Sequence, residues 1–287
     1  MSLSAPPACG KECCMSSCTE SVFDRLIIVR GAGDLATATI IRLHNSGFNV
    51  MCLDIARPTV IRRTVSFAQA MFDGEMTVEG VTARRCDARE ALSVIGQGVI
   101  PVVADPEGKC IGLYRPEVVV DAIIAKRNLG TSRDMAPFTV ALGPGFTAGE
   151  DVDCVIETSR GHALGRLIYS GSAAPNTGIP GNIAGFTVER VIHSPCAGEF
   201  VACSKIGDIV RKGDVIAHVG ETEVTATLDG MIRGLLHDGL TVPEHFKIAD
   251  IDPRGEKSDY LTCSDKARAL SGSVLEAVMH HLSSLKS

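Results

Sequence analysis

Tryptophan is absent, and aromatic residues make up only 4% of the 287 positions. A binder of single-stranded nucleic acid would have little on which to stack bases. A basic excess is missing too: 28 Lys and Arg stand against 34 Asp and Glu, a net charge of −6. Non-specific polyanion binding needs clustered cations, so no nucleic-acid partner is expected. No apolar run approaches the ~18 residues of a membrane span. The longest, such as 99–104, suit buried strands, and no membrane association is expected. The first twenty residues are rich in Ser and Cys and lack the apolar centre of a secretory signal. With an odd total of 11 cysteines, this points to a reducing, cytoplasmic setting.

Metal-ligand spacing is lacking as well. Cys9, Cys13, Cys14 and Cys18 form C-x3-CC-x3-C rather than the C-x2-C pairs of zinc sites, and no H-x3-H pair occurs. No metal is therefore expected, and residues 1–22 read as a disordered, Cys-rich head.

What is present is an ordinary globular composition, 45% apolar and 22% charged, long enough for about two domains. Residues 26–29 are apolar and stop at Arg30-Gly31-Ala32-Gly33. Residues 35–43 have apolar positions at helical spacing, and residues 49–53 read as a second strand ending at Asp54. Strand, glycine turn, helix and strand make a βαβ unit. A second helix is expected over 59–71, then strands over 99–104, 118–125 and 138–142. The expected fold class is α/β, with a Rossmann-like parallel-sheet domain over 23–150. A Gly-rich strand and loop region over 151–190 follows.

Residues 191–252 carry a gapless repeat at an offset of 32, pairing Gly198 with Gly230, Phe200 with Ile232, Gly207 with Gly239 and Val210 with Val242. Two short β units that cannot bury their apolar faces alone should pack together. A β-rich module is thus expected over 191–256. The last segment, 257–287, contains a helix with Ala267, Leu270, Val274, Val278 and Leu282 on one stripe.

The motif with the most direct chemistry is Gly31-Ala32-Gly33-Asp34-Leu35-Ala36, with Asp54 placed 21 residues after Gly33. Glycine lets backbone approach a pyrophosphate, the helix N-terminus offers free N–H groups, and an acid at Asp54 could accept from a ribose hydroxyl. Asp34 counts against simple NAD binding, because its carboxylate would face the phosphates. Arg57, Arg62 and Arg63 suit an additional phosphate. The glycines could equally serve packing. Gly143-Pro144-Gly145-Phe146-Thr147-Ala148-Gly149 follows a strand where open sheets bind ligands, and could equally be an inter-domain turn. It lacks the Lys-Ser/Thr ending of a P-loop. His162 could shuttle a proton, but no partner at a telling spacing makes a nucleophile–base pair, so no catalytic residue is assigned.

The repeated segment resembles a biotinyl/lipoyl-type barrel-sandwich hybrid through Glu223-Val224-Thr225-Ala226-Thr227-Leu228-Asp229-Gly230. The hairpin where that family presents its modified lysine, His218-Val219-Gly220-Glu221-Thr222, contains none, so neither biotin nor lipoate is expected.

Over most of its length the chain resembles the YqeB family, accessory proteins of selenium-dependent molybdenum hydroxylases. The resemblance rests on Arg30-Gly31-Ala32-Gly33-Asp34-Leu35-Ala36-Thr37 and Arg62-Arg63-Thr64-Val65-Ser66-Phe67-Ala68. It continues through Val120-Asp121-Ala122, Gly143-Pro144-Gly145-Phe146, Ile156-Glu157-Thr158 and Arg160-Gly161-His162. Pro175-Asn176-Thr177-Gly178, Ile251-Asp252-Pro253-Arg254-Gly255 and Ser264-Asp265-Lys266-Ala267 complete it. The family implies a cytoplasmic maturation protein whose partners are the hydroxylase and cofactor-biosynthesis proteins. Its cofactor would be of molybdopterin type, or a nucleotide. Such a phosphate-bearing ligand is expected on Gly31, Ala32, Gly33, Asp34, Leu35 and Ala36, with Asp54, Arg62, Arg63, Lys126, Gly143 and Gly145 around it. If a thiol carried selenium, Cys86 and Cys196 are the candidates. An NAD(P)-dependent oxidoreductase and a non-catalytic adaptor are the alternatives, and whether the chain forms a homo-oligomer is left open.

Overall fold

The computed structural model describes residues 24–285, and the four-cysteine head lies outside them. The first sheet is built from β1 (Leu26–Arg30), β2 (Asn49–Asp54), β3 (Glu75–Val78), β4 (Val81–Arg85), β5 (Ile100–Ala104), β6 (Val118–Asp121) and β7 (Phe138–Leu142). After the short β8 (Thr147–Ala148), β9 (Cys154–Ile156) and β10 (Leu167–Ile168) complete it in the order β10-β9-β7-β6-β1-β2-β5-β4-β3. Central pairs are parallel, but the edge strands β3 and β10 run antiparallel to their neighbours. Among the described residues β11 (Gly171–Ser172) pairs only with β8.

Among the described residues five α-helices accompany these strands: α1 (Asp34–Asn45), α2 (Ala70–Asp73), α3 (Ala91–Gly96), α4 (Lys109–Tyr114) and α5 (Asp265–Ser284). Among the described residues only α1 and α5 exceed six residues. Alternation along β1 and β2 sends Ile27, Val29, Val50 and Cys52 into one core with α1 and α5. Ile28, Met51 and Leu53 face the other core, against α3 and α4. The stripe on α5, with Ala267, Leu270, Val274 and Val278 fully buried, therefore closes the first core from the far end of the chain.

The β-rich part contains β12 (Val191–His193), β13 (Gly198–Ala202), β14 (Ile209–Val210), β15 (Val215–Val219), β16 (Thr222–Thr225), β17 (Gly230–Leu235), β18 (Leu240–Val242) and β19 (Lys247–Asp252). They form two four-stranded antiparallel sheets, β12-β19-β17-β14 and β16-β15-β13-β18. The repeated strands exchange partners: β14 pairs with β17 of the second copy, and β18 with β13 of the first. Each copy supplies what the other lacks.

This architecture corrects the expected fold class. The chain does not resolve into a doubly wound Rossmann-like domain, a free-standing barrel-sandwich hybrid and a separate helix. It has a mixed nine-stranded sheet, several antiparallel sheets and few helices. The helix expected over 59–71 shows why. Thr59, Val60, Ile61, Thr64 and Val65 are β-branched and poor helix formers. That segment instead reaches across to the second part, where Ile61 carbonyl accepts from Leu235 N–H at 2.8 Å. Arg63 Nε donates to Leu235 carbonyl at 2.7 Å, and Ile61 inserts into the second core. Only 3₁₀ turns at Arg63–Val65 and Phe67–Gln69 and the one-turn α2 remain of the expected helix.

Gly230 marks the tightest backbone approach, since a Cβ there would lie 2.4 Å from the Asp252 carbonyl oxygen. Backbone cannot yield as a side-chain tip can. Gly230→Ala should therefore cost about 1–3 kcal/mol, read as a lower urea midpoint. An unchanged midpoint would show that β17 and β19 part without penalty.

Candidate functional site

In open sheets, ligands bind where strand order reverses, here at the carboxyl ends of β1 and β6. The molecule's own groups occupy that position. Ala32 N–H donates to Asp54 Oδ2 at 2.8 Å, and Ile55 N–H to Oδ1 at 2.7 Å. Burial raises the Asp54 pKa despite these two bonds. Ala68 N–H donates to the Ala32 carbonyl at 2.9 Å, so residues 66–69 lie over the turn. Gly31 has φ +99°, and a Cβ on it would meet the Ala122 carbonyl oxygen at 2.9 Å. Beside it, buried Arg30 bonds the Thr131 hydroxyl, which donates to Asp121 Oδ2 at 2.6 Å. The remaining crevice, lined by Arg30, Gly31, Asp54, Ile55, Asp105 and Leu129 among others, holds about 80 Å³. Ligand pockets commonly span about 300–1,000 Å³, so a dinucleotide exceeds this space.

The other expected residues are dispersed. Gly33 is the N-cap of α1, while Leu35 and Ala36 pack on the first core. Gly143 and Gly145 permit close approach: a Cβ at 143 would lie 2.6 Å from Thr158 Oγ1, and one at 145 would lie 2.6 Å from Arg127 Cα. Lys126 is exposed at φ +62°. Arg62 is buried with Nε and Nη2 lacking hydrogen-bond partners among the described residues. Cys86 borders a separate cavity of about 610 Å³ beside Asp87, Glu90, Asp105 and Cys110. Burial first, then Glu90 and Asp87, pushes its thiol up to about 11, so little thiolate is present at neutral pH. Cys196 donates to the Val219 carbonyl within the β-rich part.

A cleft that the sequence did not single out gathers five cations. One pocket of about 590 Å³ is lined by Arg160, Arg233, Arg254, Lys257, Asp259 and Asp265, with residues 182–184 and 262–264. A second pocket of about 240 Å³ shares Arg160 and adds Pro144, Thr158, Ser159, Asn176, Thr177 and Lys266. Motifs far apart in sequence meet here: 156–162, 175–178, 251–255 and 264–267.

Two buried carboxylates position the lining. Glu157, 6% exposed, accepts from Ser159 N–H at 2.6 Å and Ala174 N–H at 2.7 Å, pinning both loops of the smaller pocket. Asp252, whose side chain is fully buried, accepts from Arg254 Nη2 at 2.7 Å and Ser258 Oγ at 2.8 Å. Burial alone would raise its carboxyl; the bonds from Arg254 and Ser258 outweigh that and hold it well below the usual range. Arg233 Nε lies 3.9 Å from Asp252 and has no hydrogen-bond partner among the described residues. Burial, then the adjacent Arg62 charge, lowers its pKa. Lys266 is half-buried, and burial, then Arg160, lowers its pKa against the opposing pull of Asp34 and Glu157. Arg160 pairs with exposed Asp265 at 2.9 and 3.2 Å.

Arg233 had a legible signal. Its repeat equivalent is Val201, so a cation interrupts the apolar strand Gly-Met-Ile-Arg-Gly-Leu of the second copy alone.

No family model matches the chain. It is 58% identical over 256 residues, 89% of its length, to "Uncharacterized protein YqeB" of Escherichia coli (strain K12), of which the match covers 47%. That similarity supports membership of the YqeB family. The chain spans about half the length of the curated relative it matches, and the similarity carries no link to selenium or a hydroxylase. Solved structures aligned with it include the product-bound ectoine utilization protein EutE (DoeB) from Ruegeria pomeroyi, at 11% identity over 78% of this chain and 56% of that one, TM-score 0.22. A succinylglutamate desuccinylase from Silicibacter sp. TM1040 aligns at 12% identity over 79% and 84%, TM-score 0.24. An aspartoacylase family protein from Mesorhizobium loti does so at 12% over 79% and 84%, TM-score 0.26. At these scores the likeness carries no argument about fold or activity. Among the described residues no helix is long and apolar enough to cross a membrane.

The depressed Asp252 carboxyl sets a pH dependence. An acid whose folded pKa lies below its unfolded value, about 3.9, adds stability that is fully present above that value. The contribution is lost as pH falls towards the folded pKa. Asp252→Asn should lower Tm at pH 7, and its deficit against wild type should shrink from pH 5 to pH 2. A constant deficit across that range, followed by calorimetry, would show that charge at Asp252 is not what stabilises the lining.

Proposed function

We propose that this chain is an accessory protein in the maturation of a selenium-dependent molybdenum hydroxylase. It holds an anionic, phosphate-bearing cargo, a nucleotide or molybdopterin-type cofactor, in the five-cation cleft. The observation carrying this reading is the excess of cations in the lining: Arg160, Arg233, Arg254, Lys257 and Lys266 line the two pockets against Asp259 and Asp265, with Asp252 buried behind Arg254. Guanidinium and ammonium groups in a partly desolvated recess bind phosphate oxygens strongly. The donor set fits such a cargo, because Arg233 lines the larger pocket and its Nε has no acceptor among the described residues. The binding position thus moves from the Gly31–Ala36 turn to the cleft. His162, the proton donor considered for hydride chemistry, is exposed outside both pockets.

Lys257 is exposed, with no hydrogen bond from its side chain to another described residue, so its removal should leave the fold intact. In calorimetric titrations of the full chain, Lys257→Gln should weaken nucleoside diphosphate binding about tenfold, with the loss diminishing at high salt. In a deletion strain, the same variant should restore less hydroxylase activity and less protein-bound molybdenum than wild type. Full restoration despite lost binding would favour an adaptor role in which the cleft stays empty.

A further inference from the structure

The two pockets differ in chemistry, and the difference defines the ligand. We infer that the cleft is a bipartite site for a phosphate ester of a neutral heterocycle bearing amide-type N–H and C=O groups. Phosphate lies in the larger pocket and the heterocycle in the smaller. This rests on the anionic-cargo reading above and adds the second half of the ligand.

The larger pocket carries Arg233, Arg254 and Lys257. The smaller sets the hydroxyls of Thr158, Ser159 and Thr177 and the amide of Asn176 beside Lys266 and the shared Arg160, with Pro144, Pro175 and Ile179 as an apolar wall. Neutral hydroxyl and amide groups both donate and accept, which matches the mixed edge of an amide-bearing ring. Neither Ser159 nor Asn176 spends its side chain on another described residue, so both are free to meet a ligand.

Arg160 makes the two pockets one site. It lines both, and its Cδ and Nε lie 3.2 Å from where a Gly181 side chain would begin. Gly181 thus leaves room for the arginine at the junction. Its guanidinium, tied to Asp265, stands where a phosphate ester would cross from one pocket to the other. At about 590 and 240 Å³, the pair is far larger than pyrophosphate and suits a nucleotide-sized molecule.

Three probes separate the ends: pyrophosphate, guanosine and GDP, titrated calorimetrically into the full chain. GDP should bind at least tenfold more tightly than pyrophosphate, and guanosine more weakly than GDP. The double variant Ser159→Ala with Asn176→Ala should bring GDP down to the pyrophosphate level, leaving pyrophosphate within about twofold of wild type. Lys257→Gln should weaken both phosphate probes and spare guanosine. A double variant that lowers pyrophosphate equally, or leaves GDP unchanged, overturns the bipartite site while the anionic cleft survives. Pyrophosphate and GDP binding that ignores Lys257→Gln overturns the anionic cleft itself.

Discussion

Four arginines converge near two buried aspartates at the end of β19, and this imbalance shapes the cleft. Arg190 pairs with Asp250 at 2.9 Å inside the protein, and Arg254 with Asp252 at 2.7 Å. Arg233 reaches Asp252 only at 3.9 Å, and buried Arg62 adds its charge to the same neighbourhood. The Nε atoms of Arg62, Arg190 and Arg233 find no acceptor among the described residues. A buried donor left unpaired costs on the order of 1–3 kcal/mol, and more when charged. Of the three, Arg233 alone lines the cleft, where an anion would return part of that cost. The same charges explain why breaking one pair should hurt more than replacing it: removing Asp252 leaves guanidiniums repelling one another.

The central strands of the first sheet were legible in the sequence because apolar runs are local properties, whereas the hairpin β3–β4 was not. β1, β2, β5, β6 and β7 fall where apolar runs predict them, and α5 follows its stripe from Ser264 onward. The segment after Asp54 was not legible, because its conformation is fixed by Leu235, some 170 positions away. Pro58 at a plausible helix start gave a local signal, and the tertiary hydrogen bonds to β17 overrode it. The site divides in the same manner. Glu157, Arg160, Asn176, Arg254 and Lys266 stood out as members of specific strings, yet nothing local indicated that these strings share one cleft. Only Arg233 carried a mark of its own, a charge within a repeat whose other copy has valine.

The glycine turn illustrates how one motif can serve two ends. Gly31-Ala32-Gly33 lets the chain leave β1 sharply and start α1, which any such turn does whether or not it binds a nucleotide. Whether the amides remain free is decided by the next acid. In a nucleotide site the acid at the end of the second strand reaches a ribose. Here Asp54 turns inward and takes the Ala32 amide itself. Residues 66–69 then close over the turn, and the position becomes a joint between α1 and the segment that runs to the β-rich part.

Closing that joint has a consequence for the cleft. Because the 57–64 segment is tied to Leu235 and Gly239, the β-rich sheets are held against the first sheet. The start of α5 is held from the other side, with Thr64 bonded to the Tyr260 carbonyl and Glu79 to Cys263 N–H and Arg268. Arg233 and Arg254 come from the β-rich part and its exit, Lys266 from α5, and Thr158 and Ser159 from the loop after β9. Their spacing is set before any ligand arrives. Preorganised charges lose little freedom on binding, so the surplus can appear as affinity. Burying the familiar turn is thus part of what assembles the cationic recess elsewhere.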